Sequence, residues 1–205
     1  MPPVVTLTGA SVVLEPLQED HVEGLLHAQG EDRSSYRFTV VPSDEASMRA
    51  YVRAALDDAT AGRALPFAIR TRRDGRVVGT SRFLELEVWD TDAAVPSVAE
   101  IGATWLAASA QRTGVNTEAK LLMLSHAFEA WRVCRVSLKT DARNERSRRA
   151  IERIGGRFEG IRRRHVPAVD GGGRDSAYYS ILDGEWPEVR EALLARLARL
   201  AATPR

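Results

Sequence analysis

A single cysteine, Cys134, stands in this chain of 205 residues. It excludes an intramolecular disulfide and a cysteine-based zinc cluster, which suits a reducing compartment. An excess of one charge is lacking too: 29 basic residues nearly cancel 28 acidic ones, so no global field attracts nucleic acid or an anionic membrane. No run approaches the roughly 18 apolar residues of a membrane span. The opening MPPVVTLTGASVVLEPL has no basic stretch followed by an apolar core. These absences lead us to expect a cytoplasmic protein that partners neither membrane nor nucleic acid. Two phosphate-binding signatures are also missing. No G-K-[ST] closes a glycine-rich loop and no G-x-G-x-x-G occurs, so kinase and dehydrogenase readings lose their footing. The four histidines form no triad and no H-E-x-x-H spacing, and no metal is expected.

What is present suits one folded domain over 1–205, with 44% hydrophobic and 28% charged residues. Charge is unevenly spread. From Asp141 to Arg174 ten arginines face five acids, and that half of the chain could meet an anion. Strand-like SVVLEPL runs into QEDHVEGLLHA, where Val22, Leu25 and Leu26 recur at helical spacing. A second helix is expected between Pro42 and Gly62, with Ser43 and Asp44 as cap candidates. Two β-rich runs flank Asp74-Gly75, a signal for a type I′ hairpin. In the next strand, AEIGATWL, simple alternation puts Ala99, Ile101, Ala103 and Trp105 on one face and Glu100, Gly102, Thr104 and Leu106 on the other. Apolar residues from Asn116 to Trp131 cover too wide an arc for a surface helix, so this helix is central. VCRVSLKT reads as a strand, NERSRRAIERIGG as a short helix capped by Asn144, and RFEGIRRRHV and DSAYYSIL as two strands. An amphipathic helix, about 185–201, closes the chain; it covers its own core or pairs two copies as a homodimer. The expected fold is α/β in the α+β sense, with a mixed, mostly antiparallel twisted sheet flanked by helices.

The loop AQRTGVNTEAK precedes the central helix. A helix start exposes unpaired N–H groups and about half a positive charge, and Gly114 lets neighbouring amides converge, so a phosphate or pyrophosphate fits there. Asn116 or Thr117 can cap the helix, while Gln111, Arg112 and Thr113 offer further donors.

The ordered set EIGATWL, QRTGVNTEAK, LLMLSHAFEAW, VCRVSLKT and NERSRRAIERIGG resembles the acetyl-coenzyme A site of the GNAT superfamily of N-acetyltransferases. Asn144-x-x-Ser147 before the Ile-Gly turn, then YYSIL and EWP, resembles the branch of ribosomal-protein N-terminal acetyltransferases. The resemblance covers roughly residues 8–190. It implies acetyl-coenzyme A as co-substrate, a small-molecule acetyl donor, and an amine or peptide as acceptor. The family pattern Q/R-x-x-G-x-G/A falls on Gln111, Gly114 and Asn116, with amides of Arg112, Thr113, Gly114, Val115, Asn116 and Thr117 on the pyrophosphate. Asn116 departs from Gly/Ala. The resemblance further implies that the Glu100 strand splays from its neighbour and that its end, near Trp105 and Leu106, pairs with the pantetheine arm, whose amide region Asn144 holds.

Acetyl transfer needs an unprotonated amine, donors for the oxyanion and a proton for the leaving thiolate. Glu100 is the candidate base, acting through a water. A backbone N–H near Trp105 or Leu106 is the candidate oxyanion donor. Many superfamily members place a tyrosine seven residues beyond the motif asparagine; here that residue is Ile151, and Ser147 is offered as acid instead. Of the adjacent Tyr178 and Tyr179, which alternate in facing, Tyr179 is the one expected at the site. Cys134 is in phase with Val136 and Leu138, so we expect a small core residue and direct transfer rather than an acyl-enzyme. Arg146, Arg148 and Arg149 could reach the 3′-phosphate or form a solvated face. Residues 35–47 and 88–98 are candidates for the acceptor pocket. The alternative to an enzyme is a non-catalytic acyl-coenzyme A binding or sensing module.

Overall fold

The computed structural model describes residues 2–90 and 94–202. Eight strands form one sheet in the order β1-β2-β3-β4-β5-β6-β8-β7. These are β1 (Leu7–Thr8), β2 (Val12–Pro16), β3 (Leu65–Thr71), β4 (Val77–Glu87), β5 (Val98–Leu106), β6 (Arg135–Asp141), β7 (Arg157–Pro167) and β8 (Gly173–Leu182). Every neighbouring pair is antiparallel except β5 and β6. The helices are α1 (Val22–Gly30), α2 (Glu45–Thr60), α3 (Val115–Ser125), α4 (Glu145–Arg153) and α5 (Trp186–Ala202). α1 and α2 cover one face; α3 and α4 cover the other, and α5 lies against α3. The mixed sheet and the terminal helix are as expected. None of the described helices is long and apolar enough to cross a membrane.

Local chemistry accounts for these elements. Asp44 caps α2 by accepting from Ser47 N, while Ser47 Oγ accepts from Asp44 N, a reciprocal box. The β3–β4 hairpin forms, but its turn is longer than a two-residue I′ turn. Gly75 N donates to Thr71 O and Thr71 N to Arg76 O, and only Gly75 of the central pair takes a positive φ, +69°. α3 is central as read, yet it widens from His126 to Trp131 into a π-helix that seats Phe128 and Trp131 in the core. α5 covers the chain's own core: Trp186 stacks on Phe128 with centroids 5.3 Å apart, and Leu193 is fully buried. Val136 and Leu138 are core residues, whereas Cys134 precedes β6, is half-buried and points its thiol at Ser97 O, 3.4 Å away.

One departure from alternation shapes everything that follows. Thr80 pairs with Trp105 but Arg82 pairs with Gly102, so β5 carries an extra residue there, and Ala103 adopts φ +46°. Beyond this bulge the faces exchange. Thr104 turns to the α3 side, where its hydroxyl meets Lys120 Nζ at 2.7 Å; Trp105 turns to the α1/α2 side and meets the Tyr36 ring edge-on at 6.0 Å. The expected grouping of Trp105 with Ile101, and of Thr104 with Glu100, is therefore corrected.

Candidate active site

β5 and β6 pair over only three register positions, Val98↔Arg135, Ala99↔Val136 and Glu100↔Ser137. Beyond them the strands part, as expected, and the facing backbone edges have no strand between them. Peptide directions alternate along a strand, and Ala107 N donates to Val78 O on β4. Trp105 N–H consequently points to β4 and Leu106 N–H to the gap. Leu106 O also lies off the β4 ladder and accepts from Tyr36 Oη at 2.9 Å and Gln111 Nε2 at 2.8 Å.

Glu100 sits where the strands part and is 1% exposed. Its carboxyl bends over Gly102, because a Cβ placed there would lie 2.7 Å from Oε1. Lys139 Nζ stands 2.8 Å from Oε2 and 2.6 Å from exposed Glu85 Oε1. Oε2 meets Lys139 as an ion pair and makes no further hydrogen bond among the described residues. Burial pushes the Glu100 carboxyl up to about 7, against the pull of Lys139. Burial disfavours the Lys139 charge in turn, but Glu100 and Glu85 outweigh it and hold its pKa above the ordinary lysine range.

The loop before α3 is flanked but not plugged. Gly114, rather than Asn116 or Thr117, is the helix N-cap, and Thr113 Oγ1 accepts from Val115 N at 3.1 Å. The amides of Asn116 and Thr117 have no acceptor among the described residues. Leu197 and Leu200 of α5 pack beside Gly114. Arg112 takes φ +58°. Gln111 spends its side chain internally, donating to Ser35 Oγ as well as Leu106 O.

On the far side of the gap, Asn144 caps α4 by accepting from Ser147 N at 3.0 Å. The Ser147 hydroxyl and Asn144 Nδ2 have no partner among the described residues. Ile151, at the place where many family members carry tyrosine, is buried. Tyr179 is fully buried beneath α4, receives Arg148 Nε at 2.9 Å and donates to Glu152 Oε1 at 3.3 Å. It shares its face with Leu138, opposite to Glu100, so the structure does not bring the two together. Tyr178 is the tyrosine on the Glu100 face: Lys139 Nζ lies 5.8 Å from its ring and His165 Nε2 3.1 Å from its hydroxyl. The arginines of this region are mostly engaged internally. Arg146 donates to Gln111 Oε1 and Ser35 O, Arg149 pairs with Glu145, and Arg143 pairs with Asp141 and Asp170. Arg162 to His165 lies on the exposed edge strand β7.

Of the two candidate acceptor segments, the first carries Tyr36 onto Trp105, and Arg146 and Gln111 bind it at Ser35. Of the second, 91–93 lie outside the described residues. Sequence reasoning missed Lys139, Arg82 and Lys120. Spacing gave no signal that these three charged side chains turn inward.

The model of the "Acetyltransferase (GNAT) domain" matches residues 11–157. The chain belongs to the GNAT acetyltransferase family. Over 88 residues this GNAT chain is 39% identical to "Putative ribosomal N-acetyltransferase YdaF" of Bacillus subtilis strain 168, a match over 43% of this chain and 47% of that relative. It spans just under half the length of that relative. A GCN5-related N-acetyltransferase from Brucella melitensis superposes with a TM-score of 0.84 at 29% identity, over 96% of this chain and 86% of that one. RimJ of Mycobacterium smegmatis, solved in complex with CoA-disulfide, superposes at 0.78 with 24% identity over 94% and 95%, a likeness of fold.

Proposed function

We propose that this chain transfers an acetyl group from acetyl-coenzyme A directly to a primary amine, and that the amine of a protein N-terminus is its acceptor class. The observation that carries this reading is a buried carboxylate, Glu100, set where two neighbouring strands separate. The chain's own groups fit the co-substrate. The N–H of Leu106 and the unpaired edges of β5 and β6 suit an amide-bearing arm that completes the ladder. The amides of Asn116 and Thr117, with those of Arg112, Thr113 and Gly114, suit a pyrophosphate at a helix start, whereas the Val115 amide already donates to Thr113 Oγ1. Asn144 Nδ2 is the remaining donor at the far wall. Bound acetyl-coenzyme A supplies the activated acetyl carbonyl and a thiol leaving group.

The residues then divide the proton work. Glu100 takes a proton from the amine through a water, and its raised pKa makes it a competent base near neutral pH. Lys139 holds that carboxylate in place. Leu106 N–H offers a donor at the gap edge. Ser147, whose hydroxyl is free, is the candidate donor of the final proton, while Tyr179, engaged under α4, has no such freedom. The name of one relative, a ribosomal N-acetyltransferase, supports an acceptor amine on a protein. Thiol release measured with a panel of amines and peptides tests the reading: turnover with Glu100→Gln equal to that of the parent would remove Glu100 from its role, and no turnover with any amine would remove the activity.

A further inference from the structure

Arg82 is a buried guanidinium that pairs with no anion among the described residues. It is 7% exposed, and among the described residues none of its N–H groups makes a hydrogen bond; Nε and Nη2 are wholly enclosed. Its guanidinium lies over the ring of Tyr51, whose centroid is 4.4 Å from Cζ. A ring covers the flat face of a guanidinium and leaves the in-plane donors unmet. Tyr51 in turn hydrogen-bonds Thr80 Oγ1 at 3.0 Å, and Thr80 is the cross-strand partner of Trp105. The indole Nε1 of Trp105, also enclosed, has no acceptor either. Arg82 pairs with Gly102, over which Glu100 bends, so all these groups share one face of the sheet.

Two unmet donors, a charged fork and an indole N–H, lie on this face, and the Glu100 carboxylate beside them makes no hydrogen bond with either. Enclosing such donors unmet is unfavourable, the more so for a charge. Resting on the acetyltransferase reading above, we infer that Arg82 and Trp105 form a subsite for a carboxylate carried by the amine acceptor, close to the amine that Glu100 deprotonates. A guanidinium binds carboxylate through two parallel hydrogen bonds, and Tyr51 fixes its plane. Two sources share this chemistry: the acceptor's own free carboxylate, as in an amino acid, and an acidic side chain at the start of a peptide.

Matched pairs separate them. Thiol release is measured with alanine against alaninamide, and with Asp-Ala amide against Asn-Ala amide. The carboxylate member of at least one pair is expected to exceed its neutral twin in kcat/KM by roughly ten-fold or more, the value of a charged hydrogen bond. The pair that shows it names the source. In Arg82→Met this ratio falls towards one, and Arg82→Lys retains part of it. Equal rates within both pairs, or a preference that survives Arg82→Met, overturns the subsite. Should neither variant fold, the comparison within pairs in the parent protein decides alone. Calorimetry with N-acetylalanine and N-acetylaspartyl-alanine amide, in the presence of coenzyme A, keeps the two readings apart. Arg82-dependent binding without turnover of any amine upholds the subsite and sinks the transferase reading. Turnover without carboxylate preference does the reverse.

Discussion

Glu100 carries its carboxyl where water hardly reaches, so its ionisation should govern rate. If Glu100 is the base we propose, its pKa of about 7 switches it off below neutrality, and kcat/KM should climb through about pH 7. Glu100→Gln should lose that limb and about 100-fold or more in kcat/KM, read from initial rates at pH 6 to 9. Lys120 is the opposite case. Nζ donates to Ser81 Oγ at 2.8 Å and to Thr104 Oγ1 at 2.7 Å, no acid among the described residues pairs with it, and burial pushes its pKa down to about 7. Two hydroxyl acceptors match the two N–H groups of a neutral amine and leave the third of an ammonium unmet. The unfolded chain takes up this proton near the ordinary lysine pKa and the folded chain only near 7, so between those values unfolding binds a proton. Stability should therefore rise with pH across about 7 to 10.5, by at most about 1.4 kcal/mol per pH unit. Lys120→Met should flatten that slope and raise stability at pH 7, as denaturant titration would read. Neither lysine nor Arg82 was legible from spacing, because a charged letter in a strand or helix looks the same whether solvent or a partner meets it. Parity separated Tyr178 from Tyr179 but could not say which faced Glu100, since that needs the pairing of β6 with both β5 and β8.

Among elements, β5 decides where the site's groups point. Its strand character was readable from EIGATWL, yet the bulge was not: nothing in Ala103 demands φ +46°, and the conformation is imposed from outside. Lys120 holds Thr104 on one face while Tyr36 and Thr80 hold Trp105 on the other. An L-residue in that region is strained, and a β-branched one more so. Ala103→Val should thus lower stability by about 1–3 kcal/mol, seen in thermal melts, and lower kcat/KM by displacing Trp105 and Leu106. Helix and strand placement elsewhere followed period and caps closely, as with Asp44 and Asn144. The α3 cap was misplaced by two or three residues because the helix already starts at Val115, whose N–H Thr113 Oγ1 accepts.

For the molecule as a whole, the half-sheets β1–β5 and β6–β8 are joined by three register pairs and by helices laid across them. A ligand that binds only the folded chain stabilises it by about 2.7 kcal/mol at a hundred times its Kd. Acetyl-coenzyme A at such excess should raise Tm by several degrees, and a scan showing no shift would argue against the donor site. Arg146 ties α4 to Gln111 and to Ser35, so both walls of the gap already touch the segment that covers Trp105. The narrow junction has a mechanical consequence. Amides along β6 beyond Ser137 lack a neighbour on one side, and deuterium should enter them faster than their counterparts in β4. A molecule lodged between the half-sheets would act as the absent rung, and that exchange should slow throughout β6 even at positions it does not touch.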